Sequence, residues 1–258
     1  MNTPFTKTML HRAILNGEIV TLYQPQVAGA TGELSGVEAL VRWAHPQLGL
    51  LTPSDFMAST EGDPELEQLI AETVLRQACR DAMNWGRLLV GVNISPVQFK
   101  LSDMADRLLA VVREEGIEPG RLEFEILESA YFEDPAHMRD TLVGLRTHGM
   151  RIALDDFGTG YSSLSALLEL PLDKLKIDAS FVQKAHTLRS AAIIHAVVAL
   201  ARAIGLKVTA EGVETVEQEK FLRAAGCHFL QGYLISKPLD AAGIAKLMTA
   251  GLSRAGHA

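Results

Sequence analysis

The chain alternates short apolar runs with longer segments of helical spacing, and this alternation restricts its fold more than any other feature. A short apolar run bounded by turn residues is typical of a buried strand, whereas apolar residues three and four positions apart indicate a helix face. The runs predict strands at Val20–Tyr23, Glu38–Trp43, Leu88–Ile94, Leu122–Leu127, Ile152–Leu154, Lys174–Ile177, Leu206–Ala210 and Phe229–Leu234. The spacing predicts helices at Glu67–Trp85, Met104–Glu115, Pro135–His148, Ser162–Leu168, Arg189–Ile204, Val216–Ala225 and Ala241–Ala250.

Strands separated by helices, in a chain of 258 residues without a Pro/Gly/Ser-rich linker, predict one α/β domain, a (β/α)8 barrel of the TIM type. We expect this domain to span residues 1–258, with its core at about 20–250. The turn at Gly29–Gly32 is too short for a crossover helix, which allows one antiparallel strand near the N-terminus. A doubly wound open sheet is the structural alternative.

Composition excludes several classes of protein. The net charge of −7 argues against an extended nucleic-acid surface, which would need a basic field. The longest apolar stretch, Ala191–Leu206, is too short to span a bilayer, and no signal peptide is visible, so we expect no membrane segment. Cys79 and Cys227 are far apart and form no CxxC pair, which is typical of a reducing cytoplasm.

The segment Arg151–Gly160 ends an apolar run in two adjacent carboxylates, Asp155 and Asp156. Because strand side chains alternate between faces, both cannot point into one core, and at least one must face the mouth of the strand. Two adjacent negative charges repel, and a divalent metal ion is the simplest partner for them. An acidic turn that caps the next helix is the alternative.

Other predicted strands also end in polar residues, and in a barrel such residues meet at the C-terminal mouth. The full set is Glu38, Asn93, Glu125, Asp155, Asp156, Lys176, Glu211 and Gln231. Its carboxylate and amide oxygens favour Mg²⁺ or Mn²⁺ over zinc. Asp156 and Glu211 add enough ligands for a second ion, with Asp155 as the bridge, and two ions can promote in-line displacement at phosphorus. Lys176 could hold the attacking water or balance charge, unless it is a surface lysine.

Several motifs occur in the order found in the EAL family, which the chain resembles from about Leu22 to Leu239. They are Glu38-Ala39-Leu40 with Arg42-Trp43, Asn93-Ile94-Ser95, Asp155–Leu164, Leu175-Lys176-Ile177-Asp178, Ala210-Glu211-Gly212-Val213-Glu214 and Gln231-Gly232-Tyr233. The resemblance implies a barrel-shaped phosphodiesterase that converts the bacterial second messenger cyclic di-GMP to linear pGpG. It also implies Mg²⁺ or Mn²⁺ as cofactor, with two ions per active site.

The resemblance further implies roles for individual residues. The metal ligands would be Glu38, Asn93, Glu125, Asp155, Asp156 and Glu211. The catalytic residues would be Lys176, which resembles the lysine that contacts the attacking water, Glu211, a candidate general base, and Gln231, which helps to order the site. The substrate contacts would be Gln24, Leu40, Arg42, Asp178, Glu214 and Tyr233. Glu128 and Gly158 would support the Asp155-Asp156 loop, and a homodimer would pack through the Asp155–Leu164 region and the helix after it.

The chain departs from the family pattern at Leu127, where threonine is usual, and at Ser59–Pro64. Neither departure touches a predicted ligand, so the sequence favours an active enzyme. A non-catalytic cyclic di-GMP receptor on the same fold is the main alternative. An enolate-forming barrel enzyme also holds Mg²⁺ with carboxylates, but it would not explain Asn93, Arg42 and the Asp155-Asp156 pair together.

Overall fold

The computed structural model describes residues 5–60, 62–128, 131, 134–158 and 164–250. Its strands are β1 Ile19–Ala28, β2 Leu34–His45, β3 Gly49–Leu51, β4 Leu89–Ile94, β5 Leu122–Leu127, β6 Arg151–Phe157, β7 Lys174–Ile177, β8 Lys207–Ala210 and β9 Phe229–Gln231. Its α-helices are α1 Lys7–Leu15, α2 Pro53–Phe56, α3 Pro64–Ala82, α4 Met104–Glu115, α5 Pro135–Thr147, α6 Leu164–Glu169, α7 Ala179–Gln183, α8 Leu188–Ala203, α9 Val216–Ala225 and α10 Ala241–Ala250.

Eight of the strands form a closed barrel. They pair in the order β1-β9-β8-β7-β6-β5-β4-β2, β1 also pairs with β2, and β3 extends β2 at the outside. The pairing of β1 with β2 closes the ring and excludes the open doubly wound sheet. The predicted (β/α)8 barrel is therefore confirmed.

One barrel strand runs against the others, as the short first turn allows. β1 is antiparallel to both β2 and β9, while β2 and β4 to β9 pair in parallel. In this register Gln24 lies opposite Glu38, and Gln26 lies opposite Gln231. Residues far apart in sequence thus reach the same level of the barrel.

Strand alternation separates an apolar exterior from a polar interior. On β7, Leu175 and Ile177 are buried in the hydrophobic core, whereas Lys174 and Lys176 bond to carboxylates on other strands. On β5, Phe124 and Ile126 are fully buried, and Glu123 and Glu125 alternate with them on the opposite face. Lys174 and Lys176 on β7, and Glu123 and Glu125 on β5, therefore line the inside of the barrel.

The structure shifts the ends of several predicted elements and adds four elements to them, namely α1, α2, α7 and β3. The polar N-terminal stretch is followed by α1, which the sequence did not predict and which begins after Thr6, whose hydroxyl accepts a hydrogen bond from the Met9 N–H. The helix predicted at Glu67 begins at Pro64, after the N-cap Asp63. The last strand, predicted to reach Leu234, ends at Gln231. None of the helices among the described residues is long and apolar enough to cross a bilayer.

Candidate active site

The eight predicted strand-end residues meet at the C-terminal mouth of the barrel. Glu38 lies on β2, Asn93 on β4, Glu125 on β5, Asp155 and Asp156 on β6, Lys176 on β7, Glu211 directly after β8, and Gln231 at the end of β9. Hydrogen bonds, ion pairs and close carboxylate contacts link them into one continuous group. The sequence therefore correctly predicted which residues lie together.

Lys176 is the centre of this group. Its side chain is completely buried, and its Nζ lies 2.8 Å from Oδ2 of Asp155, 2.7 Å from Oε1 of Glu211 and 3.4 Å from Oε2 of Glu38. Nζ also donates a hydrogen bond to Oε2 of Glu125. The alternative of a surface lysine is therefore wrong, because Leu175 and Ile177 face the core and turn Lys176 into the barrel.

The carboxylates fall into two groups that share one residue. Glu38, Glu125 and Asp155 each place an oxygen within 4.8 Å of the others, and so do Asp155, Asp156 and Glu211. Asp155 belongs to both groups, which is the arrangement that a bridging ligand between two ions requires. The carboxylates are thus divided around Asp155 in the way that the sequence pattern suggested.

A break in the strand register presents the two aspartates to the mouth. The pairing of β6 with β7 shifts between Leu154 and Phe157, so Asp155 and Asp156 lie in an irregular segment of the strand. Asp156 has a φ of 54° and is the one non-glycine residue with positive φ in the described parts of the chain. Its backbone N–H donates to Oδ1 of Asp155 at 2.8 Å. Such a conformation is costly for a residue other than glycine and is typical of functional sites.

Amide side chains hold the Glu38 carboxylate in place. Asn93 Nδ2 donates to Oε1 of Glu38 at 2.8 Å, and Gln231 Nε2 donates to Oε2 at 2.6 Å. Gln231 also accepts a hydrogen bond from Gln26 at 2.8 Å, and Gln24 accepts one from Gln231 at 3.3 Å. Because the amide nitrogen of Asn93 is directed at Glu38, its carbonyl oxygen remains available as a ligand.

Burial and crowded charge change the pKa values of these groups. Burial, assisted by Asp155 and Glu38 and opposed by Lys176, raises the pKa of Glu211 to about 8. Burial and the charge of Asp155 raise the pKa of Asp156 to about 6. Burial and then Glu38 also raise the pKa of Glu125 well above its usual value. For Glu38, burial is outweighed by Lys176 and by hydrogen bonds from the two amides, and its pKa is lowered.

For Lys176 the nearby charges have a larger effect on the pKa than burial has. Burial disfavours its charged form, but the nearby carboxylates, led by Asp155 and Glu125, outweigh this effect and raise the pKa of Lys176 well above its usual value. In the protein without metal, the charged form of Lys176 is therefore favoured, and this one ammonium contacts four carboxylates.

The donor set fits divalent cations. Oε1 of Glu125 is buried and has no hydrogen-bond partner among the described residues, although an unsatisfied buried carboxylate oxygen is costly. All the candidate ligand atoms are hard oxygens, which Mg²⁺ and Mn²⁺ prefer. Divalent ions would supply the positive charge that Lys176 alone does not.

The residues expected to contact substrate surround this cluster with different degrees of exposure. Arg42 is half-buried on β2 and donates a hydrogen bond to the Val41 carbonyl at 2.7 Å. Burial lowers the pKa of Arg42, and the charge of Glu38 partly opposes this effect. Tyr233 is 60% exposed, with the Lys237 ammonium 5.8 Å from its ring centroid. The other four are Gln24 and Leu40, which lie half-buried on facing strands, Asp178, which caps α7, and Glu214, which is exposed.

The predicted loop supports directly follow the neighbouring strands β5 and β6. Glu128 is buried directly after β5, and Leu127, which replaces the usual threonine, lies opposite Asp155 in the sheet register. Gly158 has a φ of 97°, and a Cβ there would lie 2.8 Å from the Phe181 ring, so a side chain would be strained. Residues 159–163 of the predicted Asp155–Leu164 dimer region lie outside the described residues.

The barrel interior also holds polar residues that the sequence motifs did not indicate. A buried ion pair joins Lys174 to Glu123, each two positions before Lys176 and Glu125, and Lys174 Nζ lies 4.7 Å from the Phe229 ring centroid. Gly91 leaves space for Glu125, because a Cβ there would lie 2.1 Å from its Oε1. A polar residue two positions from a site residue on the same strand is the signal that could have identified Lys174 and Glu123.

The barrel and its acidic mouth agree with a known protein family. The profile of the EAL domain family matches residues 7–238. The chain belongs to the EAL domain family. The matched range covers the barrel and all eight strand-end residues.

Among characterised relatives, the chain is 41% identical over 238 residues to MucR of Pseudomonas aeruginosa, named a bifunctional diguanylate cyclase and cyclic di-GMP phosphodiesterase. It is 40% identical over 234 residues to RocR of the same organism, named a cyclic di-GMP phosphodiesterase. These alignments cover 90% and 88% of this chain, but 35% and 59% of the relatives. The chain therefore spans only part of the length of the curated relatives it matches.

Solved structures agree with the fold. The MucR phosphodiesterase in complex with cyclic di-GMP superposes with a TM-score of 0.86 at 41% identity, over 91% of this chain and 97% of that chain. The EAL enzyme Bd1971, in a form with cAMP and cyclic di-GMP bound, gives a TM-score of 0.88 at 32% identity, over 94% of this chain and 68% of that chain. The barrel of EAL domains is thus reproduced over nearly the whole chain.

Proposed function

We propose that this protein is a metal-dependent phosphodiesterase that hydrolyses cyclic di-GMP to linear pGpG. The observation that carries the proposal is the arrangement of the acidic residues in two sets of three. The two sets share Asp155, which contacts the buried Lys176. The names of the MucR and RocR relatives support cyclic di-GMP as the substrate.

The chemistry of the donors assigns the ligands. Glu38, Asn93, Glu125 and Asp155 would hold one ion, while Asp155, Asp156 and Glu211 would hold a second, with Mg²⁺ or Mn²⁺ as the metal. When bound, these ions supply the Lewis acidity that makes water nucleophilic near neutral pH and that offsets charge on phosphoryl oxygens.

The protein side chains supply position and proton handling. Lys176 Nζ faces Asp155 and Glu211, where it can hold the attacking water and stabilise developing negative charge. Glu211, with its pKa of about 8 in the protein without metal, can serve as a ligand or accept a proton from the water. A water oxygen bonds to phosphorus, one ester bond breaks, and the departing sugar oxygen takes a proton. The ring opens to a linear dinucleotide with one terminal phosphate.

The surrounding residues can bind the nucleotide. Arg42 offers a guanidinium suited to a phosphate oxygen, and the exposed Tyr233 ring offers a face for a guanine base. Gln24, Leu40, Asp178 and Glu214 complete the proposed substrate-binding set. Gln231 orders the site through its bond to Glu38, and Glu128 and Gly158 support the loop that follows β6.

We also propose a homodimer formed next to the Asp155–Leu164 region. The helix α6 exposes two leucines one turn apart, Leu164 at 60% and Leu168 at 78%. Large apolar side chains at positions i and i+4 lie on the same helix face, and such an exposed pair is typical of a protein–protein contact. A cytoplasmic location is likewise proposed, supported by the buried free thiols of Cys79 and Cys227.

The direct test is incubation of the purified protein with cyclic di-GMP and Mg²⁺, followed by chromatography of the nucleotides. We expect pGpG to accumulate and chelator to prevent it. Cyclic di-GMP that binds but stays intact would contradict the proposed enzyme and identify a receptor on the same fold. Absence of binding would contradict both.

A further inference from the structure

We propose that Gln98 is a positioning residue that holds the Asn93 end of β4 in place for metal binding. This inference rests on the proposed function, because it concerns a proposed metal ligand. Gln98 lies in the turn that follows β4, at Pro96–Lys100, and its side chain is 1% exposed. Its hydrogen bonds go to Ser95 and Gln68 and to none of the carboxylates, so its effect on the site must pass through the backbone of β4.

Gln98 closes the turn after β4 with two hydrogen bonds. Its backbone N–H donates to the Ser95 carbonyl at 3.1 Å, and its side-chain Oε1 accepts from the Ser95 N–H at 2.8 Å. Both partner groups belong to Ser95, which lies two residues after Asn93. The direction in which the chain leaves β4 is therefore set by the Gln98 side chain.

The other end of the amide is anchored in the helix layer. Gln98 Nε2 donates to Oε1 of Gln68 at 2.7 Å, and Gln68 is completely buried on α3. Gln68 Nε2 in turn donates to Oε1 of Glu72 at 3.0 Å, which also accepts from Arg107 of α4 at 2.7 Å. A continuous chain of polar contacts thus runs from α4 through α3 to the end of β4.

Asn93 depends on this support more than Glu125 and Asp155 do. Glu125 and Asp155 are buried and bonded to Lys176, whereas Asn93 is exposed and its side chain donates to Glu38. An exposed amide on a strand end is directed mainly by its backbone. A buried polar network also loses more than one bond when a member is removed, because the remaining partners stay buried and unsatisfied.

The position of Asn93 affects metal binding in two ways. Its carbonyl oxygen is a proposed ligand, and its amide nitrogen directs Oε1 of Glu38. Residues that orient ligands without touching the metal typically change affinity by about 10- to 100-fold when they are replaced. Residues of this kind usually contact a ligand directly, whereas Gln98 contacts Ser95 and acts on Asn93 through the backbone. We therefore expect a loss of metal affinity near the lower end of that range.

The test measures Mn²⁺ binding by isothermal titration calorimetry, without nucleotide, for the wild-type protein and variants. Gln98→Met keeps the length of the side chain and removes both of its hydrogen bonds, and we expect Mn²⁺ affinity to fall about tenfold. Gln98→Met with wild-type affinity would overturn the proposal.

A matched control separates positioning from general stability. Tyr23 is completely buried, and its hydroxyl donates to Oδ2 of Asp81 at 2.5 Å on the helix side of β1. Tyr23→Phe should lower the melting temperature and leave Mn²⁺ affinity unchanged. An equal loss of affinity in Tyr23→Phe would show that the effect of Gln98→Met is a loss of stability, and would overturn the proposal.

Gln68→Met serves if Gln98→Met does not fold, because it removes the anchor on α3 and leaves the Ser95 contact intact. Weaker Mn²⁺ binding by this variant supports the proposal, and wild-type affinity contradicts it. Hydrolysis of cyclic di-GMP by the wild-type protein is measured separately. A protein that binds Mn²⁺ without hydrolysis would overturn the proposed function, while the Mn²⁺ affinities would still decide the role of Gln98.

Discussion

Lys176 Nζ lies 2.8 Å from Oδ2 of Asp155, the carboxylate that both acidic groups share. The cation and the proposed bridging ligand are therefore in direct contact at the centre of the barrel mouth. A lysine in this position could act on the proposed attacking water through the oxygen atoms that would surround it, which makes Lys176 the most informative residue to replace.

Lys176→Ala should lower kcat and kcat/KM together by roughly 10²-fold or more, with little change in KM. The reason is that a group stabilising charge in the transition state contributes little to ground-state binding. Steady-state kinetics over a range of cyclic di-GMP concentrations measures both constants. A change confined to KM would show that Lys176 anchors the substrate instead.

The same strand provides a matched control for this substitution. Lys174 is also a buried lysine of β7, but it pairs with Glu123 one layer further from the mouth. Lys174→Ala should lower the melting temperature, because it leaves Glu123 buried without its partner, and should reduce kcat far less than Lys176→Ala does.

Glu38→Ala should abolish hydrolysis, because it removes a proposed ligand and the acceptor for Asn93 and Gln231. Loss of a ligand or its support costs on the order of 10–100-fold or more. We expect the metal-free variant to fold, since removal of one carboxylate relieves repulsion in the cluster. A rate above about a tenth of wild type would exclude Glu38 as a ligand.

Metal substitution should separate binding from chemistry. Hydrolysis should disappear with chelator, return with Mg²⁺ or Mn²⁺, and be poorly supported by Ca²⁺, which is larger and tolerates irregular coordination. Product chromatography at matched metal concentrations measures this. Equal rates with Ca²⁺ and Mg²⁺ would argue against a mechanism that depends on two closely placed ions.

In the protein without metal, Asp156 and Glu211 should make the free energy of unfolding fall as the pH rises from about 4 to about 8. Asp156 and Glu211 have pKa values raised to about 6 and about 8, so the folded state binds more protons than the unfolded state over this range. Their contribution to stability is present at low pH and is lost as the pH passes these values. Melting curves in chelator measure the change.

Metal affinity should follow the opposite trend, because ions compete with protons for the same carboxylates. Mn²⁺ affinity should rise between pH 6 and pH 8, as Asp156 and Glu211 lose their protons. The melting temperature in saturating Mg²⁺ should consequently depend less on pH than it does in chelator. A pH-independent Mn²⁺ affinity would contradict the raised pKa values.

Leu168→Asp should convert the proposed homodimer to a monomer, because a charge placed on the exposed face of α6 opposes the apolar contact. Sedimentation velocity at several concentrations measures the species present. Leu188→Asp is the control, since Leu188 is 92% exposed at the start of α8 and lies outside the proposed interface. A wild-type protein that is monomeric at high concentration would exclude the dimer.

The amino-acid sequence predicted an α/β barrel and grouped its strand-end residues, but it left an open doubly wound sheet as the alternative. The alternation of strand and helix patterns is local, and parallel strands joined by helices place their C-terminal ends on one face. For this reason the amino-acid pattern alone was enough to group Glu38, Glu125, Asp155 and Glu211. The short first turn also allowed one antiparallel strand near the N-terminus, which the structure identifies as β1.

The contacts among these residues depend on the three-dimensional packing of the strands. The register break on β6, the positive φ of Asp156 and the contacts of Lys176 with four carboxylates depend on pairing between distant strands. The link from Gln98 to Gln68 joins two elements whose contact no local pattern reveals. Periodicity shows which face of an element is polar, but only packing determines which partner that face meets.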